Sequence, residues 1–327
     1  MDFKTVYNEF LSSVEKRIKE YVIEKEPNNL YEPIAYIMAS GGKRIRPILT
    51  MIACGAVSEK PYLAINAGVA LEILHNFTLV HDDIMDESPL RRGRQTVHVK
   101  WNSAIAILAG DAMIGMAYKI LPCDNHHKRT EIVLQTFTNE IIEVCEGQVL
   151  DMDFNSRKDV SMDDYMKMID KKTAKLLEAC VVIGANLGEA SADEITALRK
   201  IAHNVGIAFQ IQDDLLDLTA DVQKLGKRIG GDIIEGKKTF FVIKARELAK
   251  SNEDIELLNK FYEENGLEET YVSKMVDIFE RLGIIDLANQ EINKLFDDAY
   301  SQLNYLKKNQ YVDMLKWLME SIQNRKF

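Results

Sequence analysis

The sequence predicts an all-α protein organised as one domain, residues 1–327. Three observations predict it. Apolar residues recur at three-and-four spacing in segment after segment, which puts them on one face of a 3.6-residue helix. No run of alternating β-branched residues is long enough for a sheet. The last of the 6 prolines is Pro122, so everything beyond it is free of the residue that most strongly breaks helices.

In chain order, Val6, Phe10, Val14 and Ile18 mark a first helix, closed by the polar break Glu26-Pro27-Asn28-Asn29. A second break at Ser58-Glu59-Lys60-Pro61 precedes the apolar run Val69 to Val80. The segment 104–121 is apolar nearly all round and ends in the polar stretch Cys123 to His127. Ile132, Phe137, Ile141 and Val144 define the next helix, closed at Asn155-Ser156-Arg157-Lys158. Leu176, Cys180 and Ile183 lie in a second nearly all-apolar segment, 174–187, and Ile201, Val205, Ala208 and Ile211 form the following stripe. Helices apolar on all sides belong inside a bundle or at a subunit interface. Later breaks fall at Ser251 to Asp254 and at Glu264-Asn265-Gly266.

Composition narrows the function. The 41 Lys and Arg against 51 Asp and Glu leave a net charge of −10, which argues against nucleic acid or an anionic membrane as the main partner. No stretch of 18 uninterrupted apolar residues occurs, and the start MDFKTVYNEF lacks a basic region followed by an apolar core, so neither a spanning helix nor a secretory signal is expected. Cys54, Cys123, Cys145 and Cys180 form no CxxC pair, which fits reduced thiols and a cytoplasmic location.

Chemistry concentrates in two aspartate clusters. His81-Asp82-Asp83-Ile84-Met85-Asp86 follows an apolar helical run without a breaker and belongs at the C-terminal end of that helix. Asp82 and Asp86 then lie within roughly 40° of one another and about 6 Å apart along the axis, on one face. Like charges so placed repel and call for a cation. The second cluster, Gln210-Ile211-Gln212-Asp213-Asp214-Leu215-Leu216-Asp217, repeats the spacing on another apolar helix. All-oxygen donors of this kind suit Mg²⁺, whose shell is completed by waters and substrate phosphates. A di-iron site would need two ExxH pairs, and Glu72 to His75 has no twin.

Basic motifs accompany the clusters. Gly41-Gly42-Lys43-Arg44-Ile45-Arg46-Pro47 opens a helix, where backbone amides and cations together favour an anion. Arg91-Arg92-Gly93-Arg94 follows the first cluster, and guanidinium groups bind phosphate bidentately. Lys171-Lys172-Thr173 interrupts an apolar stretch. Gly226-Lys227-Arg228-Ile229-Gly230-Gly231-Asp232 and Glu235-Gly236-Lys237-Lys238-Thr239 follow the second cluster, where they fit loops folding over a ligand as a lid.

These motifs, in this order between about residues 40 and 240, make the sequence resemble the trans-isoprenyl diphosphate synthases, or polyprenyl synthetases. The resemblance implies an all-α, single-domain orthogonal helix bundle of the isoprenoid synthase type around a deep central cavity, assembled as a homodimer. It implies that Asp82, Asp86 and Asp213, with Asp217 beside them, bind three Mg²⁺ around an allylic diphosphate. Asp83, Asp214 and Asp217 would support them. Arg91, Lys172, Lys227 and Lys237 would hold the same diphosphate, with Thr173 and Gln210 beside the reacting carbon. Lys43, Arg46, His75 and Arg92 would hold isopentenyl diphosphate. Phe77, five positions before Asp82, would form the floor of the product cavity and favour a C20 product, with C15 next. A terpene cyclase of the same fold, an HD-type phosphohydrolase suggested by His81-Asp82, and a non-catalytic regulatory subunit are the competing readings.

Overall fold

The computed structural model describes residues 2–23, 25–121, 129–219 and 230–325. Its helices are α1 (Phe3–Tyr21), α2 (Asn28–Met38), α3 (Ile45–Ser58), α4 (Ile65–Met85), the short α5 (Val97–Lys100), α6 (Ser103–Ile120), α7 (Thr130–Ser156), α8 (Met162–Ile169), α9 (Lys175–Leu187), α10 (Ala192–Thr219), the short α11 (Gly231–Ile234), α12 (Phe240–Leu248), α13 (Asn252–Glu264), α14 (Val272–Arg281), α15 (Ile284–Gln302) and α16 (Gln310–Gln323). Local chemistry sets several starts. Asp2 caps α1 by accepting from Lys4 N at 3.1 Å, Asn102 caps α6 by accepting from Ile105 N at 2.8 Å, and Ser161 with Asp164 forms a reciprocal capping box on α8.

The chain divides into two compact units. One comprises residues 1–141, 177–199 and 303–318, and the other 142–176, 200–302 and 319–327. In the first, α4 is the central helix, with Val69, Ala70, Leu71, Ile73 and Leu74 fully buried, and α1, α3 and α6 pack on it. In the second, Phe240, Phe241 and Val242 of α12 are buried, and Phe279 of α14 packs against Phe241 at 5.8 Å between ring centroids.

Two details depart from the sequence reading. A two-stranded antiparallel hairpin, β1 (Leu90–Arg91) and β2 (Arg94–Gln95), interrupts the helices. Its turn residues Arg92 and Gly93 both have positive φ, 52° and 73°, the conformation of a type I′ turn. The two nearly all-apolar helices also part company. Leu176, Cys180, Val181 and Ile183 of α9 are buried, whereas α6 buries Ala106, Ala109, Met113 and Ala117 and leaves Leu108 55% exposed. By length and mean hydropathy Pro61–Met85 and Ser103–Ile120 could each cross a membrane, a property that a test for uninterrupted apolar runs does not see; most of the apolar window in the first is buried within the protein.

Candidate functional site

In the first unit, Asp82 and Asp86 stand one turn apart at the end of α4, where Asp86 N donates to Asp82 O at 2.8 Å and Asp86 forms the C-cap. The carbonyl end of a helix carries partial negative charge, so two carboxylates there are unfavourable until a cation joins them. Asp83 turns inward. It is 1% exposed, accepts from Arg91 Nε at 2.7 Å, and has its second oxygen buried without a hydrogen-bond partner among the described residues. Burial pushes the Asp83 carboxyl up and Arg91 pulls it back. The hairpin therefore fastens to the cluster through Arg91 and displays Arg92 at its turn.

Arg92 reaches the loop before α3, donating to Gly41 O and, at 3.3 Å, to Ser40 Oγ. Gly42 lies under that guanidinium; a Cβ there would sit 3.1 Å from Arg92 Nη1, on a backbone with φ of 138°. Lys43 O accepts from Tyr7 OH. Arg44 adopts the left-handed conformation, is 3% exposed, and bonds Glu15 at 2.7 Å, Glu72 at 2.9 Å and Met38 O at 2.6 Å. This anchor fixes the loop between Lys43 and Arg46. The sequence marked Arg44 only as one cation of the Gly41–Pro47 motif and not as an anchor, because the carboxylates that hold it lie 29 and 28 residues away on other helices.

Arg46 Nε is buried without a hydrogen-bond partner among the described residues. Burial lowers the Arg46 pKa, against the pull of Glu72. Burial also holds His75 well below its ordinary value, helped by Arg46, Arg92, Arg91 and Arg44. So dense a set of cations beside an uncharged imidazole is an electropositive surround that favours an anion. Phe77 lies one turn before His81 on α4, 7% exposed, with the two ring centroids 4.7 Å apart and edge on.

The depressed His75 has a measurable consequence. Below about pH 6.5 the unfolded chain takes up a proton at this residue that the folded protein refuses, so folding stability falls as pH drops, by up to about 1.4 kcal/mol per pH unit until the lowered folded value is reached. Urea unfolding midpoints at pH 7.0 and 5.5 should separate more in the unsubstituted protein than in His75→Asn. Equal separations would show that His75 is not held uncharged.

In the second unit, Lys171-Lys172-Thr173 lies in a π-helical turn, residues Asp170–Ala174, between α8 and α9. Such turns recur at functional sites because they re-aim side chains. Gly147 of α7 permits it: a Cβ there would sit 2.4 Å from Lys172 N. Lys172 Nζ pairs with Asp151 at 2.5 Å, and Thr173 Oγ1 donates to Gln210 Oε1 at 2.9 Å.

Asp214 is the inward member of the second cluster, accepting from Tyr165 OH at 2.7 Å and Gln210 Nε2 at 3.0 Å. Burial and then Asp232 push its carboxyl up. Asp213 faces outward and pairs with Arg325. Asp217 turns toward α11, accepting from Asp232 N at 3.0 Å. Burial raises the Asp232 carboxyl; Lys237 opposes that shift and Asp217 adds to it. Burial works against the charge on Lys237, but Asp232 and Glu235, at 3.5 and 2.9 Å, outweigh it and raise its pKa. Lys227 lies outside the described residues.

Of the expected residues, Lys43, Arg46, His75, Phe77, Asp82, Asp83, Asp86, Arg91 and Arg92 lie in the first unit, and Lys172, Thr173, Gln210, Asp213, Asp214, Asp217 and Lys237 in the second. Tyr165, Asp151 and Asp232 were not singled out from sequence. Only Asp232 carried a signal, as the last residue of the GKRIGGD motif. The donors at both clusters are carboxylate oxygens, which fit a hard divalent cation such as Mg²⁺.

Helices ending in aspartate clusters, beside loops of buried arginine and lysine, define a helical protein built to hold diphosphate. Residues 27–279 match the polyprenyl synthetase family, and the chain belongs to it. It is 38% identical over 99% of both chains to a geranylgeranyl diphosphate synthase of Sulfolobus acidocaldarius. It is 35% identical over 99% of both to a short chain isoprenyl diphosphate synthase of Methanothermobacter thermautotrophicus. A crystal structure of geranylgeranyl pyrophosphate synthetase from Pyrococcus horikoshii Ot3 superposes with a TM-score of 0.92 at 35% identity, covering all of both chains. The all-α isoprenoid synthase fold expected from the motifs is the fold observed.

Proposed function

We propose that the protein is a trans-prenyltransferase that condenses isopentenyl diphosphate with an allylic diphosphate to a short-chain product, chiefly C20 geranylgeranyl diphosphate, with C15 next. The observation that carries this reading lies in the first unit: Arg44, Arg46, Arg91 and Arg92 act together on an uncharged His75, two turns before the outward carboxylates of Asp82 and Asp86. A site for one anion beside a site for metal-bound diphosphate is what a two-diphosphate reaction needs, and the relatives' names support the same chemistry. A cyclase has no use for the first pocket. A phosphohydrolase leaves the arginine and lysine loops idle, and a regulatory subunit has no reason to retain every charged position.

Asp82, Asp86, Asp213 and Asp217 would hold Mg²⁺, in our reading three ions per site, which when bound supply positive charge to the departing diphosphate. Arg91, Lys172, Lys227 and Lys237 hold that diphosphate, and Asp83 fixes Arg91 against it. Lys43, Arg46, His75 and Arg92 hold isopentenyl diphosphate. The allylic carbon–oxygen bond breaks with both electrons leaving on diphosphate. The alkene of isopentenyl diphosphate then forms the new carbon–carbon bond, and its C2 proton passes to an oxygen of the released diphosphate. Thr173 and Gln210 lie beside the reacting carbon, and apolar walls keep water from the cation. Chromatography of products from isopentenyl diphosphate plus each C5, C10 and C15 primer with Mg²⁺ tests this. A product longer by C5 units supports it; turnover of the allylic substrate alone points to a cyclase, and no turnover with any primer to a regulatory chain.

Phe77 forms the floor of the product cavity in this reading, a position its burial on α4 supports. Phe77→Ala should lengthen the main product by at least one C5 unit, read by reversed-phase chromatography of the dephosphorylated alcohols. An unchanged distribution would refute the floor assignment.

We also read the protein as a cytoplasmic homodimer. The exposed Ile107 and Leu108 of α6 and Ile132 of α7, all in the first unit, support an apolar contact surface. Light scattering should give about twice the 37.3 kDa chain mass, and Leu108→Lys should shift it toward one.

A further inference from the structure

Lys238 stands next to a lysine that the function uses, yet it points the other way. It is 4% exposed, and its ammonium donates to Asn265 Oδ1 at 2.6 Å and to Asn155 O at 3.3 Å, with the rings of Phe261 and Tyr262 each 5.8 Å away. Those partners are all neutral. A buried ammonium normally requires a carboxylate, so this one is costly to hold and stays only where the surrounding contacts insist on it.

The backbone shows what those contacts join. Gly236 and Gly266 both have positive φ, 72° and 127°, and each leaves room for the other's loop. A Cβ on Gly236 would sit 2.3 Å from Asn265 O, and one on Gly266 would sit 2.2 Å from Ile234 O. Leu267 N donates to Ile233 O at 3.1 Å, which ties the same two segments again. Asn265, the C-cap of α13, itself takes the left-handed conformation, with φ of 54°. Between these ties lies Lys237, whose N donates to Asp232 O at 2.9 Å and whose ammonium faces Asp232 and Glu235. The turn after α13 is thus pressed, backbone to backbone, against the loop that carries Lys237.

We propose that Lys238 and the Asn265-Gly266 turn form a latch that positions Lys237 for the allylic diphosphate. Lys238 and Asn265 are positioning residues and touch no substrate. The proposal rests on the prenyltransferase reading, because Lys237 takes its role from it. The latch acts on one of the two diphosphates, so it makes a prediction that general stabilisation of the fold does not.

The test is steady-state kinetics of the Mg²⁺-loaded full chain with isopentenyl diphosphate and geranyl diphosphate, comparing Lys238→Met, Asn265→Ala and Asn265→Asp. Lys238→Met and Asn265→Ala should raise KM for geranyl diphosphate about tenfold and leave KM for isopentenyl diphosphate within about twofold. Asn265→Asp keeps an acceptor for the ammonium and should restore KM for geranyl diphosphate to within about twofold of the unsubstituted protein. Unchanged KM values, an equal rise in both, or a fall in kcat alone would overturn the latch. Should Lys238→Met fail to fold, Asn265→Ala decides. If the unsubstituted protein shows no turnover, the prenyltransferase reading fails, and calorimetric titration of inorganic diphosphate with Mg²⁺ into the unsubstituted protein and Asn265→Ala tests the latch alone. Equal affinity in that titration would overturn it.

Discussion

Asp82→Ala should lower kcat by about 10³-fold or more while leaving KM for isopentenyl diphosphate nearly unchanged. Asp82 is placed at the negative end of α4, one turn from Asp86, so nothing in the helix itself favours its charge. In our reading Asp82 serves to hold a cation, and that cation stabilises the diphosphate only as the carbon–oxygen bond breaks. An interaction made chiefly in the transition state appears in kcat, not in the affinity for the other substrate. Asp82→Asn, which keeps the shape and removes the charge, should fall with it. Steady-state kinetics across a Mg²⁺ series, with helix content followed by circular dichroism, checks the claim. Activity within tenfold of the unsubstituted protein would remove Asp82 from the metal site.

Arg46→Met should raise KM for isopentenyl diphosphate by about 10²-fold and barely alter that for the allylic substrate. The long apolar side chain fills the same space, so the loss is one of charge and hydrogen bonding. A charge-assisted hydrogen bond contributes about 1.5–3 kcal/mol, and the buried Nε of Arg46 has no hydrogen-bond partner among the described residues. Arg44→Met, two residues earlier, should behave differently. It would leave Glu72 buried without its cation and lower thermal stability, because Arg44 serves the loop and not the ligand. Kinetics and thermal unfolding of both variants separate the two roles. A matching rise in both KM values for Arg46→Met would contradict the assignment.

The clusters were legible because their chemistry is local. Asp82 and Asp86, like Asp213 and Asp217, share a face by helical arithmetic alone, and a shared face of like charge on an apolar helix implies a cation. The three-and-four stripes likewise specify helices without knowledge of partners, which is why α1 and α4 fall where the periodicity places them. The hairpin at Arg91 to Arg94 escaped that reading: two residues per strand are too few to alternate visibly, and its conformation depends on a two-residue turn with positive φ. The π-helical turn at Lys171-Lys172-Thr173 escaped for another reason: it requires Gly147, a residue on a different helix.

What the amino-acid sequence determined by itself is the fold class, the two acidic helix ends and the set of cations that accompany them, since each follows from the order and spacing of neighbours in the chain. Tertiary structure alone decided which member of each cluster faces inward. Asp83 is claimed by Arg91 and Asp214 by Tyr165 and Gln210, while Asp213 turns outward to Arg325. It likewise decided that Arg44 is an anchor while Arg46 is left with an unmet donor, and that Lys238 is buried beside Lys237. The reason is physical: whether a charge serves the fold or a ligand depends on whether a distant residue has already satisfied it.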